Sequence, residues 1–304
     1  MSNIKKLPLT DVQFAYMFGR NSSIYLGGIA THFYAEFDTK LNPKRFEEAL
    51  NKVIQRQEML RAYICKDGTQ VIMEEVPYYE VEYTDLSKLT EEEKTKEIES
   101  YRAQNSNRII PLDTWPMFGF KFFRKDEESS VLAVDIDMMI VDGMSTELLI
   151  HQVMQYYNGE AVEPTIEVCF SDYMELEKQK REKMEAVDKE FWMQNIQNFT
   201  AGPFIEKVQK DAPDIPYFYS LENVIEAEKW SAVERKLRKQ RILPTIYLLT
   251  AYARMVSAWT NNEKLTINMT VSDRNNGYGK NFNETIGDFT KILPVDFDLQ
   301  SLRI

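Results

Sequence analysis

The segment at residues 131–145, VLAVDIDMMIVDGMS, limits the possible folds more than any other part of the chain. A continuous apolar run is typical of a strand covered on both faces of its sheet, but this run contains Asp137 and leads to Asp142. Buried carboxylates are costly unless they are paired or hydrogen-bonded. The segment therefore predicts a buried strand that brings two acids to a turn containing Gly143, with a helix opening at Ser145.

Two interpretations of these acids remain open at this stage. Asp137 and Asp142 can each form a buried ion pair that fixes the turn, or they can transfer protons with a pKa tuned by their surroundings. In an extended strand Asp135 and Asp137 share one face. Ser145 is interpreted as the N-cap of the helix rather than as a nucleophile, because no Gly-x-Ser-x-Gly sequence surrounds it.

The composition argues against several classes of partner. With 37 basic and 48 acidic residues the net charge is −11, which disfavours nucleic acid because phosphate binding needs a basic surface. No apolar run approaches the ~20 residues of a membrane span and no signal sequence opens the chain, so we expect a cytoplasmic protein without a membrane partner. Cys65 and Cys169 form no disulfide framework, and His32 and His151 are interpreted as packed or surface residues, so no metal site is expected.

Hydrophobic periodicity predicts an α/β protein, and 304 residues favour two domains or lobes. Helices are predicted to start after Thr10 and to cover residues 43–57, 90–108, 145–157, 170–198, 229–240 and 245–259. The last helix is largely apolar and is therefore expected to be buried. Strands are predicted at residues 25–37, 60–64, 70–73, 80–83, 118–123, 131–137 and 265–271. Residues 201–221 and 272–283 are predicted loops.

Five motifs, in order along the chain, resemble those of the heterocyclization (cyclization) domain of nonribosomal peptide synthetases, a branch of the condensation-domain superfamily. They are LPLTDVQFAYMFGR at residues 7–20, RQEMLR at 56–61 followed by DGTQ, the Asp-x-x-x-x-Asp-x-x-Ser of residues 137–145, the apolar helix 244–259 ending in Trp, and GDFT at 287–290. Two positions depart from the family pattern, since Leu7 replaces the usual Phe and Gln57 the usual His.

The resemblance implies an α/β fold of two chloramphenicol-acetyltransferase-like lobes, with mixed sheets flanked by helices. We expect an N-terminal lobe at residues 1–170 and a partial C-terminal lobe at 171–304, with a tunnel between them. The implied reaction joins a carrier-bound acyl or aminoacyl donor to carrier-bound Cys, Ser or Thr, then removes water to form a thiazoline or oxazoline. No cofactor is expected to bind directly, because the substrates arrive on the phosphopantetheine arms of donor and acceptor peptidyl carrier proteins, beside neighbouring synthetase domains.

The resemblance also assigns roles to residues. Asp137, Asp142 and Ser145 are the implied catalytic residues. Met138 stands where ordinary condensation domains have their second histidine, which argues against a plain condensation site. Our hypothesis is that the two aspartates build and polarise the tunnel floor and that Asp142 pairs with Arg274 across the lobes. The implied structural or tunnel residues are Arg274, Gly143, Met138, Asp288 and Thr290.

Three questions stay open at the sequence level. The chain reaches Ile304 without the Thr and Asp that the family uses for cyclodehydration, so we expect a fragment or a shortened member with weak or no ring-forming activity. A non-catalytic scaffold that docks carrier proteins is one alternative. A free-standing acyltransferase of the same fold is the other, although it would need a histidine where Met138 stands.

Overall fold

The computed structural model describes residues 4–24, 27–200, 202, 223–274 and 279–300. The chain divides into two compact units. The first comprises Met1–Glu182 and Ser272–Lys291, and the second comprises Lys183–Val271 and Ile292–Ile304. Residues 272–291, which the sequence-based division places in the C-terminal lobe, thus group with the first unit. The lobe boundary at residue 170 stays a prediction.

Two mixed or antiparallel sheets form the strand layer of the first unit. The strands are β1 (Lys5–Pro8), β2 (His32–Thr39), β3 (Ala62–Ile64), β4 (Thr69–Ile72), β5 (Glu82–Asp85), β6 (Phe118–Arg124) and β7 (Ser130–Asp137). The larger sheet has the order β2–β7–β6–β5, antiparallel except for the parallel pair β5 and β6. The smaller has the order β1–β4–β3. In the larger sheet His32 lies opposite Asp137, and Gly119 opposite Asp135.

Helices pack on these strands, and their starts follow capping residues in the sequence. They are α1 (Asp11–Gly19), α2 (Pro43–Arg56), α3 (Glu91–Asn105), α4 (Gly143–Asn158) and α5 (Phe170–Asn195), the last of which continues into the second unit. Thr10 and Thr90 each form a capping box with the residue three positions later. Gly159 ends α4 in the left-handed conformation at φ 77°. These boundaries match the predicted helices closely.

The main core of the first unit lies between the larger sheet and the pair α2 and α4. Phe46 of α2 packs its ring against Phe120 and Phe122 of β6, at centroid distances of 5.9 and 5.4 Å. Leu50 of α2 and Leu149 of α4 are fully buried in the same cluster. A smaller cluster under α3 covers the other face of the sheet. Because β7 is covered on both sides, all of its eight residues are buried, as its apolar run predicts.

The second unit contains α6 (Ala227–Lys239), α7 (Pro244–Thr260), most of β8 (Lys264–Ser272) and most of β9 (Thr290–Asp298), with β8 and β9 paired. Its core cluster consists of Ala253, Val256 and Leu265. The prediction that α7 is buried is wrong. Of its residues only Ala253 and Val256 are buried, and the apolar side chain of Trp259 is 70% exposed. Among the described residues, the core cluster of this unit covers only the side of α7 that carries Ala253 and Val256.

Several predicted segments end elsewhere or cannot be compared. The strand predicted at residues 25–37 begins at His32, after Gly28 turns the chain with a φ of 84°. Three predicted segments lie partly outside the described residues. They are the strand 25–37, at Tyr25 and Leu26, the loop 272–283, at residues 275–278, and the loop 201–221, of which only Gly202 is described. None of the helices in the described part of the chain has the apolar length to cross a membrane.

Candidate active site

The candidate active site lies at the turn between β7 and α4, in the first unit. β7 ends at Asp137 and α4 begins at Gly143, so both acids of the motif border the turn. Asp142 has an extended backbone (φ −108°, ψ 179°), and its carboxylate accepts a hydrogen bond of 2.7 Å from the Ser145 N–H. Asp142 is therefore the N-cap of α4. The prediction that Ser145 caps this helix is wrong, because the helix begins directly after the aspartate.

Asp142 forms a buried ion pair with Arg274, as the sequence-based hypothesis predicts. The Arg274 Nη2 donates to Asp142 Oδ1 at 2.9 Å, and both side chains are less than a tenth exposed. The Arg274 Nη1 donates to the carbonyls of Phe282 (2.9 Å) and Thr285 (2.5 Å). These bonds supply the extra partners that a buried pair needs to offset its desolvation. Both residues belong to the first compact unit, so the pair lies within one unit rather than between the predicted lobes.

Ser145 connects the turn to the GDFT motif. Its hydroxyl donates to the Gly287 carbonyl at 2.7 Å and accepts from the Gly287 N–H at 3.0 Å and from Arg274 at 2.6 Å. The Phe289 N–H completes the junction with a 3.3 Å bond to Asp142. A hydroxyl has one proton to donate and two lone pairs, so all of its hydrogen-bonding capacity is used. The arrangement holds two motifs together and leaves no free donor or acceptor on Ser145; the catalytic role assigned to this residue stays a prediction.

Asp137 is held by a different arginine. Its carboxylate is fully buried, pairs with the Arg20 guanidinium of the segment after α1, and accepts a 3.0 Å hydrogen bond from the Met139 N–H. Arg20 also donates to the Ile110 carbonyl at 2.8 Å. Arg20 ends the LPLTDVQFAYMFGR motif, but its pairing with Asp137 could not be predicted, since nothing in the sequence around either residue links β7 to the end of α1.

Asp135 anchors a second charged cluster on the same face of β7. It pairs with Arg108, and the His32 Nε2 lies 3.5 Å from its carboxylate, while the His32 Nδ1 lies 3.2 Å from the Ser106 carbonyl. The cluster requires a glycine on β6, because a Cβ at Gly119 would overlap the Asp135 carboxylate and the Arg108 guanidinium. His32 is thus a packed residue, as predicted. The sequence offered no signal for Arg108, which lies in a loop.

Asp288 is the third buried carboxyl at this turn. Its Oδ1 accepts a 3.0 Å hydrogen bond from the Thr290 N–H, whereas its Oδ2 is buried and has no hydrogen-bond partner among the described residues. Burial and the nearby charge of Asp142 raise the pKa of Asp288, hydrogen bonds from Thr290 and Thr10 lower it, and the result is a pKa of about 6. The resemblance assigns Asp288 and Thr290 a structural role; the raised pKa adds a proton-binding property that the sequence did not predict.

The other two residues singled out in the sequence have simple surroundings. Gly143 is exposed at the first position of α4, with no neighbouring atom within 4 Å of a Cβ placed there. Met138 is half-buried against the main core, and its N–H donates to the Thr31 carbonyl at 3.0 Å. Among the described residues, no three His, Cys, Asp or Glu side chains are grouped so that they could hold a metal ion.

α1 is fixed to the turn by its polar side chains. The Gln13 Nε2 donates to the Met139 carbonyl at 2.7 Å and lies 3.2 Å from the Gln70 side-chain oxygen. Arg20, at the end of the same helix, pairs with Asp137. Gln13 is fully buried although it is polar, and its hydrogen bonds explain why. The sequence analysis did not single out Gln13, although a glutamine inside an apolar helical pattern is a usable signal.

Comparison with known proteins places the chain in a family. Residues 3–302 match the family model described as Condensation domain. The chain is 30% identical to bacitracin synthase 1 of Bacillus licheniformis over 293 residues, which are 95% of this chain and 6% of that protein. It is 25% identical to the phenyloxazoline synthase MbtB of Mycobacterium bovis over 302 residues, which are 97% of this chain and 21% of that protein.

A solved structure agrees with the fold. The EpoB NRPS cyclization-docking bidomain from Sorangium cellulosum superimposes with a TM-score of 0.87 at 26% identity, covering 97% of this chain and 59% of that one. The α/β fold with mixed sheets flanked by helices, predicted from the sequence, is confirmed by this match. The chain spans only a small part of the curated relatives it matches.

Proposed function

The chain belongs to the condensation-domain family, and on this basis we propose that it is a heterocyclization domain of a nonribosomal peptide synthetase. In this proposal it joins a carrier-bound acyl or aminoacyl donor to carrier-bound Cys, Ser or Thr and removes water to form a thiazoline or oxazoline. The similarity to a cyclization bidomain and to a phenyloxazoline synthase supports it. Donor and acceptor carrier proteins are the proposed partners, with neighbouring synthetase domains, in the cytoplasm.

One observation carries the proposal. Two residues of the Asp-x-x-x-x-Asp-x-x-Ser motif form hydrogen bonds to the GDFT motif. Ser145 bonds to Gly287 and Asp142 to Phe289, and Arg274 donates to Ser145 beside them. Two segments that resemble the same family, about 140 positions apart, therefore meet at one buried polar junction. Burying so many polar groups is costly unless they bond to one another, and these contacts between the two motifs support the proposal.

The proposed chemistry starts with an attack by the amine of the acceptor on the donor thioester, which forms an amide and releases the donor thiol. The neighbouring thiol or hydroxyl then adds to the amide carbonyl, and the C–O bond of the adduct breaks to release water and leave a C=N bond. Because both substrates are tethered, proximity supplies a large share of the acceleration. We assign to Asp142 with Arg274, and to Asp137 with Arg20, the task of holding this turn in one charged, rigid arrangement.

The proposal is tested with one donor carrier loaded with an acyl thioester and one acceptor carrier loaded with cysteine, serine or threonine. With the protein in excess, intact-protein mass spectrometry should show acyl transfer to the acceptor, followed by a slow loss of one water, in line with the weak ring formation expected from the sequence. Acyl transfer without any water loss would contradict ring formation and indicate a condensation activity alone. Carrier binding without any transfer would favour the docking scaffold, and transfer from a coenzyme A thioester would favour a free-standing acyltransferase.

A further inference from the structure

Tyr16 lies on the face of α1 that meets the turn between β7 and α4. Gln13, Tyr16 and Arg20 are spaced by three and four residues, so they project from one side of the helix. Gln13 donates to the Met139 carbonyl in the turn, and Arg20 pairs with Asp137 at its start. The phenol of Tyr16 is therefore placed between two side chains that already contact the turn.

The surroundings of Tyr16 keep its hydroxyl protonated. Burial raises the pKa of Tyr16 to about 12, and the carboxyl groups of Asp288 and Asp142 add to the shift. The side chain is only half-buried, and its hydroxyl makes no hydrogen bond to any described residue. A phenol with these properties is a neutral hydrogen-bond donor whose proton is not committed within the described part of the protein.

We propose that the Tyr16 hydroxyl donates a hydrogen bond to the carbonyl oxygen of the carrier-bound acyl substrate, and that Asp288 is a positioning residue that sets the strength of this donor. The inference rests on the proposed function, which supplies a carbonyl carbon that is attacked twice. In each attack negative charge develops on that oxygen, and a preorganised donor stabilises it. Of the three residues with an implied catalytic role, Asp137 and Asp142 are each paired with an arginine, and the Ser145 proton is committed to Gly287.

Asp288 differs from the other two acids of the turn in having no cation. Asp137 pairs with Arg20 and Asp142 with Arg274, whereas no Lys or Arg of the described residues forms an ion pair with Asp288. The groups around Asp288 are Thr10 and Tyr16 from α1, Asp142 at the start of α4, and Thr290 at the start of β9.

This contrast makes the donor depend on pH. When Asp288 is neutral, Tyr16 faces one carboxylate, Asp142, which Arg274 offsets. When Asp288 ionises, its charge opposes negative charge on the phenol and on the substrate oxygen, so the donor weakens. The rate of acyl transfer, relative to a variant in which this side chain is always neutral, should therefore fall as the pH rises through the pKa of Asp288, which is about 6.

The first test replaces Tyr16 by Phe, which removes only the hydroxyl. Tyr63→Phe is the matched control, because Tyr63 is also a half-buried tyrosine of the first unit and lies on β3. In single-turnover acyl transfer between loaded carriers, Tyr16→Phe should lower the rate by about 10- to 1,000-fold, with carrier affinity unchanged, while the control stays at the parental rate. A Tyr16→Phe rate equal to that of the parent would overturn the assignment.

The second test follows the same rate from about pH 5 to about pH 8, where a neutral carboxyl with a raised pKa becomes charged. Deprotonation of the acceptor amine raises the rate of every variant with pH, so the informative quantity is the ratio of the parental rate to the Asp288→Asn rate. This ratio should fall as the pH rises, because Asp288→Asn is neutral throughout. Asp113→Asn, a change at an exposed acid, should follow the parent at every pH. A ratio of parent to Asp288→Asn that does not change with pH would overturn the role of Asp288. A parent that transfers no acyl group would instead contradict the proposed function, so the two failures are distinguishable.

Discussion

Replacing Asp288 by Asn should stabilise the protein above about pH 6, although the change removes a buried charge from a hydrogen-bonded junction. The reason is that the folded state binds the Asp288 proton more tightly than the unfolded chain does. Burial, the first cause, and the nearby Asp142 charge raise its pKa from 3.8 to about 6. Asn keeps the shape of the side chain and can still accept the hydrogen bond from the Thr290 N–H.

The magnitude follows from the two pKa values. Between pH 3.8 and about 6 the folded protein holds more protons at Asp288 than the unfolded chain, so the free energy of unfolding falls as the pH rises. A difference of roughly 2 pKa units corresponds to about 3 kcal/mol. This contribution is fully present below pH 3.8 and is lost above about pH 6. Asp288→Asn does not titrate, so its stability relative to the parent should rise by that amount over the interval.

Urea unfolding of both proteins at a series of pH values measures the effect. Other acids titrate in the same range, so the informative quantity is the difference between the two proteins at each pH. Asp113→Asn serves as the control, since this exposed acid should leave the difference flat. If the difference between Asp288→Asn and the parent does not change with pH, Asp288 is not a proton-binding group and the reasoning is refuted.

Three further changes test other parts of the structure. Arg274→Ala should lower the free energy of unfolding by about 3–5 kcal/mol, because it leaves the buried Asp142 without its cation; an unchanged denaturation midpoint would contradict the pairing. Gly119→Ala should lower the free energy of unfolding by roughly 1–3 kcal/mol through overlap with the Asp135 carboxylate. An unchanged thermal unfolding curve would contradict this steric requirement for glycine. Thr10→Ala should cost about 1 kcal/mol through loss of the α1 cap, with a loss of helix signal in circular dichroism at elevated temperature; parental melting would count against the cap.

The parts of the fold that local chemistry controls were predictable from the sequence. Thr10, Pro43 and Thr90 mark helix starts because capping depends on residues within one turn. The strands predicted at residues 60–64 and 70–73 are joined by Asp67-Gly68, which is a strong hairpin signal, and β3 and β4 pair on either side of it. Positions where two local interpretations compete were less predictable. At the start of α4, Asp142 and Ser145 are both good caps, and only the structure shows which of them the helix uses.

The ion pairs of the site were predictable only in part. The Asp142–Arg274 pair was foreseen because an acid at the end of an apolar strand needs a cation and Arg274 follows a predicted strand. The pair of Asp137 with Arg20 was not foreseen, because nothing local links β7 to the end of α1. The buried state of Asp288 and the exposure of Trp259 depend on which other segments cover them. Sequence periodicity carries no information on that covering.

The most direct test of the central claim is the rate of acyl transfer between loaded carriers in folded Asp142→Asn, with Asp113→Asn as the control. Asn has a single acceptor oxygen, so it can keep the hydrogen bond from the Ser145 N–H or the one from the Phe289 N–H but not both, and it removes the charge that faces Arg274. If this turn is the reaction centre, the rate should fall by about 100-fold or more, while the control transfers at the parental rate. A folded Asp142→Asn protein that transfers the acyl group as fast as the parent would contradict the account.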